Sequence, residues 1–268
     1  MTQVQPHDRQ IIPGIKDMLA VSSGKGGVGK STVSVNLALA LVQQGLRIGL
    51  LDTDIYGPNV PGMLGLEDRP TADPQSGLLQ PCNVRGLKAL SMGLLIEPGI
   101  PVIWRGPMLA KMMNQFLFQT DWGELDLLIL DLPPGTGDVQ ISLTQNAPLT
   151  AALIVTTPSE IALEDVRRGV KMFQQTEVPV LGLVENMSHF VCDACQQSSH
   201  PFGRDGGLRT AADFELPLLG QIPLDQQLTL CAESGNPVVQ AVPQSPAGQA
   251  LTNLGSQVMA RLADLENA

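Results

Sequence analysis

Gly24-Lys25-Gly26-Gly27-Val28-Gly29-Lys30-Ser31 gathers four glycines, two lysines and a hydroxyl into eight consecutive residues, a composition suited to holding phosphate. Glycines let the backbone curl until successive N–H groups converge on an oxyanion. Lys30 would neutralise charge on the β- and γ-phosphates of a nucleoside triphosphate, and Ser31 would offer its hydroxyl to Mg2+. The flanks agree. Val21-Ser22-Ser23 ends an apolar run that reads as a strand, and Ser31-Thr32 opens a helical pattern whose N-terminal dipole end favours anions. Strand, Gly-rich loop and helix in that order form the context of a P-loop, with Gly24 through Thr32 as the nucleotide-binding residues and ATP with Mg2+ as ligands.

Such chemistry needs carboxylates opposite the loop. Leu128-Ile129-Leu130-Asp131 puts an acid at the end of an apolar strand, followed by the turn Leu132-Pro133-Pro134-Gly135-Thr136-Gly137-Asp138. Asp131 is expected in the Mg2+ shell and the turn is expected to face the γ-phosphate, although a strand-end Asp can also simply cap the next helix. A second strand ends in Asp52-Thr53-Asp54. Two acids two residues apart point the same way if the strand stays extended. Asp52 would then join the Mg2+ shell, and Asp54 would orient the attacking water, the group that hydrolytic P-loop enzymes need more than a strong base. Asp138 and Asp52 stand next in line for that role.

Cys192-Asp193-Ala194-Cys195 follows a strand that ends at Asn186. A Cys-x-x-Cys pair alone fits a redox couple, half of a zinc site or half of an iron–sulfur site. The redox reading lacks a thioredoxin-like pattern around it. A zinc site would need two further ligands, for which His189 and His200 are at hand. Cys82 and Cys231 match no motif and read as small buried side chains.

The elements that must position these residues are legible as short apolar runs: 18–21, 48–51, 125–130, 151–155 and 180–184, with weaker runs at 87–92 and 218–222. Continuous apolar runs of this length suit parallel strands buried on both faces. Helical patterns alternate with them. One runs from Thr32 to Gln44 and stops at Gly45; another runs from Ser159, as N-cap, to Gln175; a closing helix spans 246–265. The alternation predicts an α/β fold with a doubly wound, mostly parallel sheet and ligands at the carboxyl ends of its strands. From Gly57 to Arg85 the chain is rich in Pro and Gly, which predicts long surface loops beside the site. Residues 1–17 read as a tail and 18–268 as a single domain.

The chain has 268 residues, a net charge of −10 and 43% hydrophobic residues. That balance supports a packed core and argues against nucleic acid or anionic membrane as general partners, since both need a basic surface. No window reaches membrane-spanning length, and residues 1–10 resemble neither a signal nor a transit peptide, so the expected location is cytoplasmic, with the four cysteines reduced.

Lys25, early in the loop, is not required by an ordinary P-loop. The pattern Gly-Lys-Gly-Gly-x-Gly-Lys-Ser resembles the deviant phosphate loop of the MinD, ParA and nitrogenase iron-protein class, in which the first lysine reaches the nucleotide of a partner subunit. Over residues 12–225 the chain resembles, more specifically, the Mrp-type iron–sulfur cluster carrier ATPases. The resemblance rests on Asp52-Thr53-Asp54-Ile55-Tyr56-Gly57-Pro58, Trp104-Arg105-Gly106-Pro107-Met108, the stretch Asp131 to Asp138, Glu185-Asn186-Met187-Ser188 followed by Cys192 and Cys195, and Phe202-Gly203-Arg204. It implies a homodimer in which Cys192 and Cys195 of two subunits bridge one [4Fe–4S] cluster, with apo iron–sulfur proteins as acceptors. It also implies that Asn186 recognises adenine, and that Lys25, Lys30 and Asp54 serve catalysis. Many members carry a small N-terminal domain or an N-terminal four-cysteine site, neither of which is expected here. The alternatives are a MinD/ParA-like positioning ATPase, which leaves the cysteine pair unexplained, and a nitrogenase-type electron donor, whose cysteines lie elsewhere.

Overall fold

In the computed structural model, residues 11–55, 57–95, 106–192 and 194–267 are described. In chain order the first half contains β1 (Ile15–Ser23), α1 (Lys30–Gln43), β2 (Ile48–Asp52), α2 (Val60–Leu64), β3 (Thr71–Ala72), β4 (Leu79–Gln80), β5 (Cys82–Val84), β6 (Leu87–Ser91), α3 (Gly106–Phe118) and β7 (Leu125–Asp131). The second half contains α4 (Asp138–Asn146), β8 (Ala151–Thr156), α5 (Glu160–Gln175), β9 (Val180–Asn186), β10 (Phe190–Val191), β11 (Ser198–Ser199), α6 (Gly206–Asp213), β12 (Leu218–Ile222), α7 (Gln226–Glu233), α8 (Val238–Ala241) and α9 (Pro246–Glu266).

Among the described residues the main sheet has eight strands in the order β12-β9-β8-β1-β7-β2-β6-β5. Every pairing in it is parallel except that of β5 with β6. Alternation of side chains along each strand splits the core in two. Leu19, Val21, Leu50, Leu127 and Ile129 face a layer that includes α1 and α9, while Met18, Ala20, Leu51, Leu128 and Leu130 face residues of α3 and α5. Both faces being covered is why these strands read as unbroken apolar runs. From β1 the chain moves towards β2 on one side, and from β8 it moves towards β9 on the other. The crevice at the carboxyl ends of the central strands is therefore where a ligand belongs.

Two sequence expectations change. β1 begins at Ile15, so Ile15–Asp17 belong to the sheet and not to a tail. The run from Gly57 to Arg85 is not all loop: it holds α2, the β3–β4 hairpin and the antiparallel edge strand β5. These pieces are too short to show periodicity. Ser159 is at the N-cap position of α5 but makes no capping bond through its side chain, whereas Ser245, ahead of α9, accepts from Gly248 N–H at 3.0 Å. Gly45 ends α1 with φ of +86°, as its position suggested.

Candidate nucleotide site

The P-loop leaves β1 after Ser23 and enters α1 at Lys30, where Gly29 is the N-cap with φ 84° and no side chain caps the first turn. The first amides of the helix are left for an anion. Two of the glycines are demanded by close approach. A methyl on Gly24 would lie 2.3 Å from Cβ of Asp165 in α5, and one on Gly29 would lie 2.1 Å from Asn186 Nδ2. Over the loop opens a cavity of about 310 Å³ lined by Ser23, Lys25, Gly26, Gly27, Gly29, Lys30, Ser31 and Thr32. Its other walls are Asp54, Gly57, Asn59, Met63, Pro134 and Met187, so the Pro/Gly-rich stretch does stand beside the site.

Beneath this cavity lies a buried polar cluster. Lys30 Nζ sits 2.8 Å from Asp131 Oδ1. Ser31 donates to Asp131 Oδ2 and Ser34 to Asp131 Oδ1, each at 2.6 Å. Asp52 is the direct neighbour of Asp131 in the β2–β7 register, and accepts from Ser91 Oγ at 2.9 Å and from Asp54 N–H at 3.0 Å. Burial, and then the charge of Asp131, push the Asp52 carboxyl up to about 7. Asp52 and Asp131 are both fully buried and only Asp131 pairs with Lys30 among the described residues; that donor set, with the Ser31 hydroxyl, fits a divalent cation.

Asp52 and Asp54 are placed differently: β2 stops at Asp52, Thr53 beyond it donates to the Asp131 carbonyl at 2.8 Å, and of the two acids only Asp54 lines the cavity. Thr53, Ser91 and Ser34 were not singled out by sequence. Ser34 follows Lys30 by four residues and so shares its helix face, a usable signal; Ser91 meets Asp52 only through strand register. Gly24, Val28 and Asn186 stand outside the cavity wall. Asn186 Nδ2 donates to Val28 C=O at 2.9 Å, and its buried Oδ1 has no partner among the described residues. The 131–138 loop runs along the end of β1, with Leu132 N–H on Val21 C=O and Gly135 N–H on Ser23 C=O, both at 3.0 Å. Tyr56, Trp104, Arg105, Asp193 and the side chain of Asp138 lie outside the described residues.

The cysteine pair occupies the tip of the β10–β11 hairpin, Cys195 exposed and Cys192 half-buried, with Cys192 N–H bonded to Gln197 C=O at 3.1 Å. No disulfide joins any of the four cysteines. His189 and His200 flank the hairpin base with ring centroids 6.3 Å apart, and the Nδ1 of each meets Ser188, one at Oγ and the other at the carbonyl. Among the described residues no three His, Cys, Asp or Glu come together to hold a metal, so the zinc site considered from sequence is not assembled within one chain. Cys231 is buried in the core as expected, and Cys82 is half-buried with Sγ on Asp68 C=O.

Fold and site together define a P-loop NTPase. The family model for the NUBPL iron-transfer P-loop NTPases matches residues 14–259, and the chain belongs to that family. It is 50% identical over 259 residues to an iron–sulfur cluster carrier protein of Synechocystis, covering 95% of this chain and 73% of that one. Among solved structures it is similar to a nucleotide-binding protein in complex with ADP from Archaeoglobus fulgidus, at 36% identity and TM-score 0.74 over 83% of this chain and 87% of that one. The cell-division ATPase MinD of Pyrococcus furiosus has TM-score 0.69 over 91% of this chain and 98% of its own, but at 21% identity the likeness is one of fold alone.

Proposed function

We propose that this protein is an ATP-hydrolysing iron–sulfur cluster carrier. Two copies hold one [4Fe–4S] cluster between the thiolates of Cys192 and Cys195 and hand it to apo iron–sulfur proteins. The observation that carries the reading is the accessible Cys-x-x-Cys hairpin on a P-loop NTPase whose family is described by iron transfer. A cubane cluster takes four thiolates and each chain offers two, with no third ligand beside them among the described residues, so a homodimer completes the set. The name of the Synechocystis relative supports the same cargo. The cytoplasm, where thiols stay reduced, is the fitting location.

In the nucleotide site, loop amides and Lys30 take the phosphates, so Lys30 must leave Asp131 when ATP enters. Ser31, with Asp52 and Asp131 behind it, would hold Mg2+, which neutralises phosphate charge when bound. Asp54, at the cavity wall, orients the water that attacks the γ-phosphorus, releasing ADP and inorganic phosphate. Asn186, whose Oδ1 has no partner among the described residues, would recognise adenine. Lys25 lines the cavity and forms no ion pair among the described residues, which suits an ammonium that serves the partner's nucleotide.

Anaerobic reconstitution with iron and sulfide tests the reading. About four irons per dimer are expected, with loss of the cluster but not of fold or nucleotide binding in the Cys192→Ala/Cys195→Ala double variant. Undiminished iron in that variant, or tetrahedral zinc held within a single chain, would sink the assignment.

A further inference from the structure

Gln140 belongs to no motif that sequence reading marks, yet it is 1% exposed in the first turn of α4, directly after the 131–138 loop. Its Nε2 donates to Ser22 Oγ at 3.2 Å and to the Pro133 carbonyl. Ser22 is the penultimate residue of β1, and Pro133 is the second residue beyond Asp131. One amide thus ties the strand that feeds the phosphate loop to the turn opposite it. Ser23 extends the tie: its Oγ donates to Lys25 C=O and its own carbonyl accepts from Gly135 N–H, each at 3.0 Å.

The orientation of this amide is forced. The Pro133 carbonyl can only accept, so the NH2 end must face it. Oε1 is then left buried with no partner among the described residues. A stranded acceptor destabilises a fold. A side chain kept for packing alone would do better without it.

We propose that Gln140 is a positioning residue for the triphosphate. It holds the 131–138 loop in register with the phosphate loop, so that the loop meets the γ-phosphate and the site tells ATP from ADP. The inference rests on the ATP reading above.

The test is a titration of the whole chain, with Mg2+, by a non-hydrolysable ATP analogue and by ADP. Gln140→Met keeps length and volume but removes both the donors and the stranded acceptor. ADP affinity is expected to stay within about twofold while the preference for the analogue drops about fivefold or more. The melting temperature is expected to hold or rise, because no buried acceptor remains unmet. In steady-state hydrolysis, kcat should fall by a larger factor than KM rises. Ser22→Ala probes the same tie from its other end and should show a smaller loss of preference. The double variant should lose less than the sum of the two.

A lower melting temperature with parallel weakening of both nucleotides would make Gln140 structural and overturn the proposal. So would a wild type with equal affinity for the two nucleotides, or an unchanged preference in both single variants. A wild type that binds neither nucleotide would overturn the ATP reading itself.

Discussion

Lys30 and Asp131 form an ion pair that water scarcely reaches, with side chains 6% and 0% exposed. Breaking such a pair from one side strands a buried charge, at a cost of about 3–5 kcal/mol. Lys30→Ala is therefore expected to lose nucleotide affinity and also to lower the melting temperature of the nucleotide-free protein. Adding Asp131→Asn should restore much of the stability and none of the binding; calorimetry of the two variants separates the effects. Asp52 supplies a pH signature. Its folded carboxyl titrates near 7 against an ordinary 3.8, so the folded state keeps a proton that the unfolded chain has already released. The stability it contributes is complete below the unfolded value and is lost as pH rises through about 7. Melting temperatures of the nucleotide-free protein should carry a downward component between about pH 4 and pH 7 that is missing from Asp52→Asn. Identical pH profiles for the two proteins would remove Asp52 as its source.

At the scale of elements, the phosphate loop is braced by its neighbours more than by itself. The N-terminal part of α5 packs against Gly24, and β9 reaches it through Asn186 and Val28. Gly24→Ala would drive its methyl into the Asp165 backbone and push α5 away, an overpacking cost of about 1–3 kcal/mol. Thermal unfolding should show that loss together with weaker nucleotide binding, since the loop carrying Lys25 moves with it. Strands were the most legible elements: all seven runs read from sequence fall inside or against observed strands, because burial on both faces writes a continuous apolar signal. α3 and α4 were not placed, and the sequence around α4 shows why. Polar residues such as Gln140 and Thr144 are buried there, which blurs the apolar stripe that marks a surface helix.

For the whole molecule, the cysteine hairpin and the nucleotide cavity are joined through the end of β9. Asn186 holds Val28, Met187 lines the cavity with φ 55°, and Ser188 meets both histidines at the hairpin base. If nucleotide and cluster both favour a closed dimer, each changes the affinity of the other by the same factor. Cluster release to a chelator should then differ between nucleotide-free, ADP and ATP-analogue states. Lys25→Ala should reduce that difference while leaving the cysteines loaded. Equal release rates in all three states, for both proteins, would show two independent sites.

The sequence by itself determined the phosphate loop and the kind of sheet that carries it. In both cases the partners are near neighbours along the chain, so their spacing is the structure: the loop amides follow one another from Gly24 to Ser31, and the strand signal is local. It also offered the cysteine pair, with its ligand set left open. What only the tertiary structure decided is the floor of the site. Asp52, Asp131 and Ser91 come from separate parts of the chain and meet because β2, β6 and β7 pair in one register, while Gln140 reaches Ser22 because the first turn of α4 packs against the end of β1. The same holds for the different fates of Asp52 and Asp54. Two residues apart, they would share a face in an extended strand; β2 ends at Asp52, and of the two only Asp54 lines the cavity.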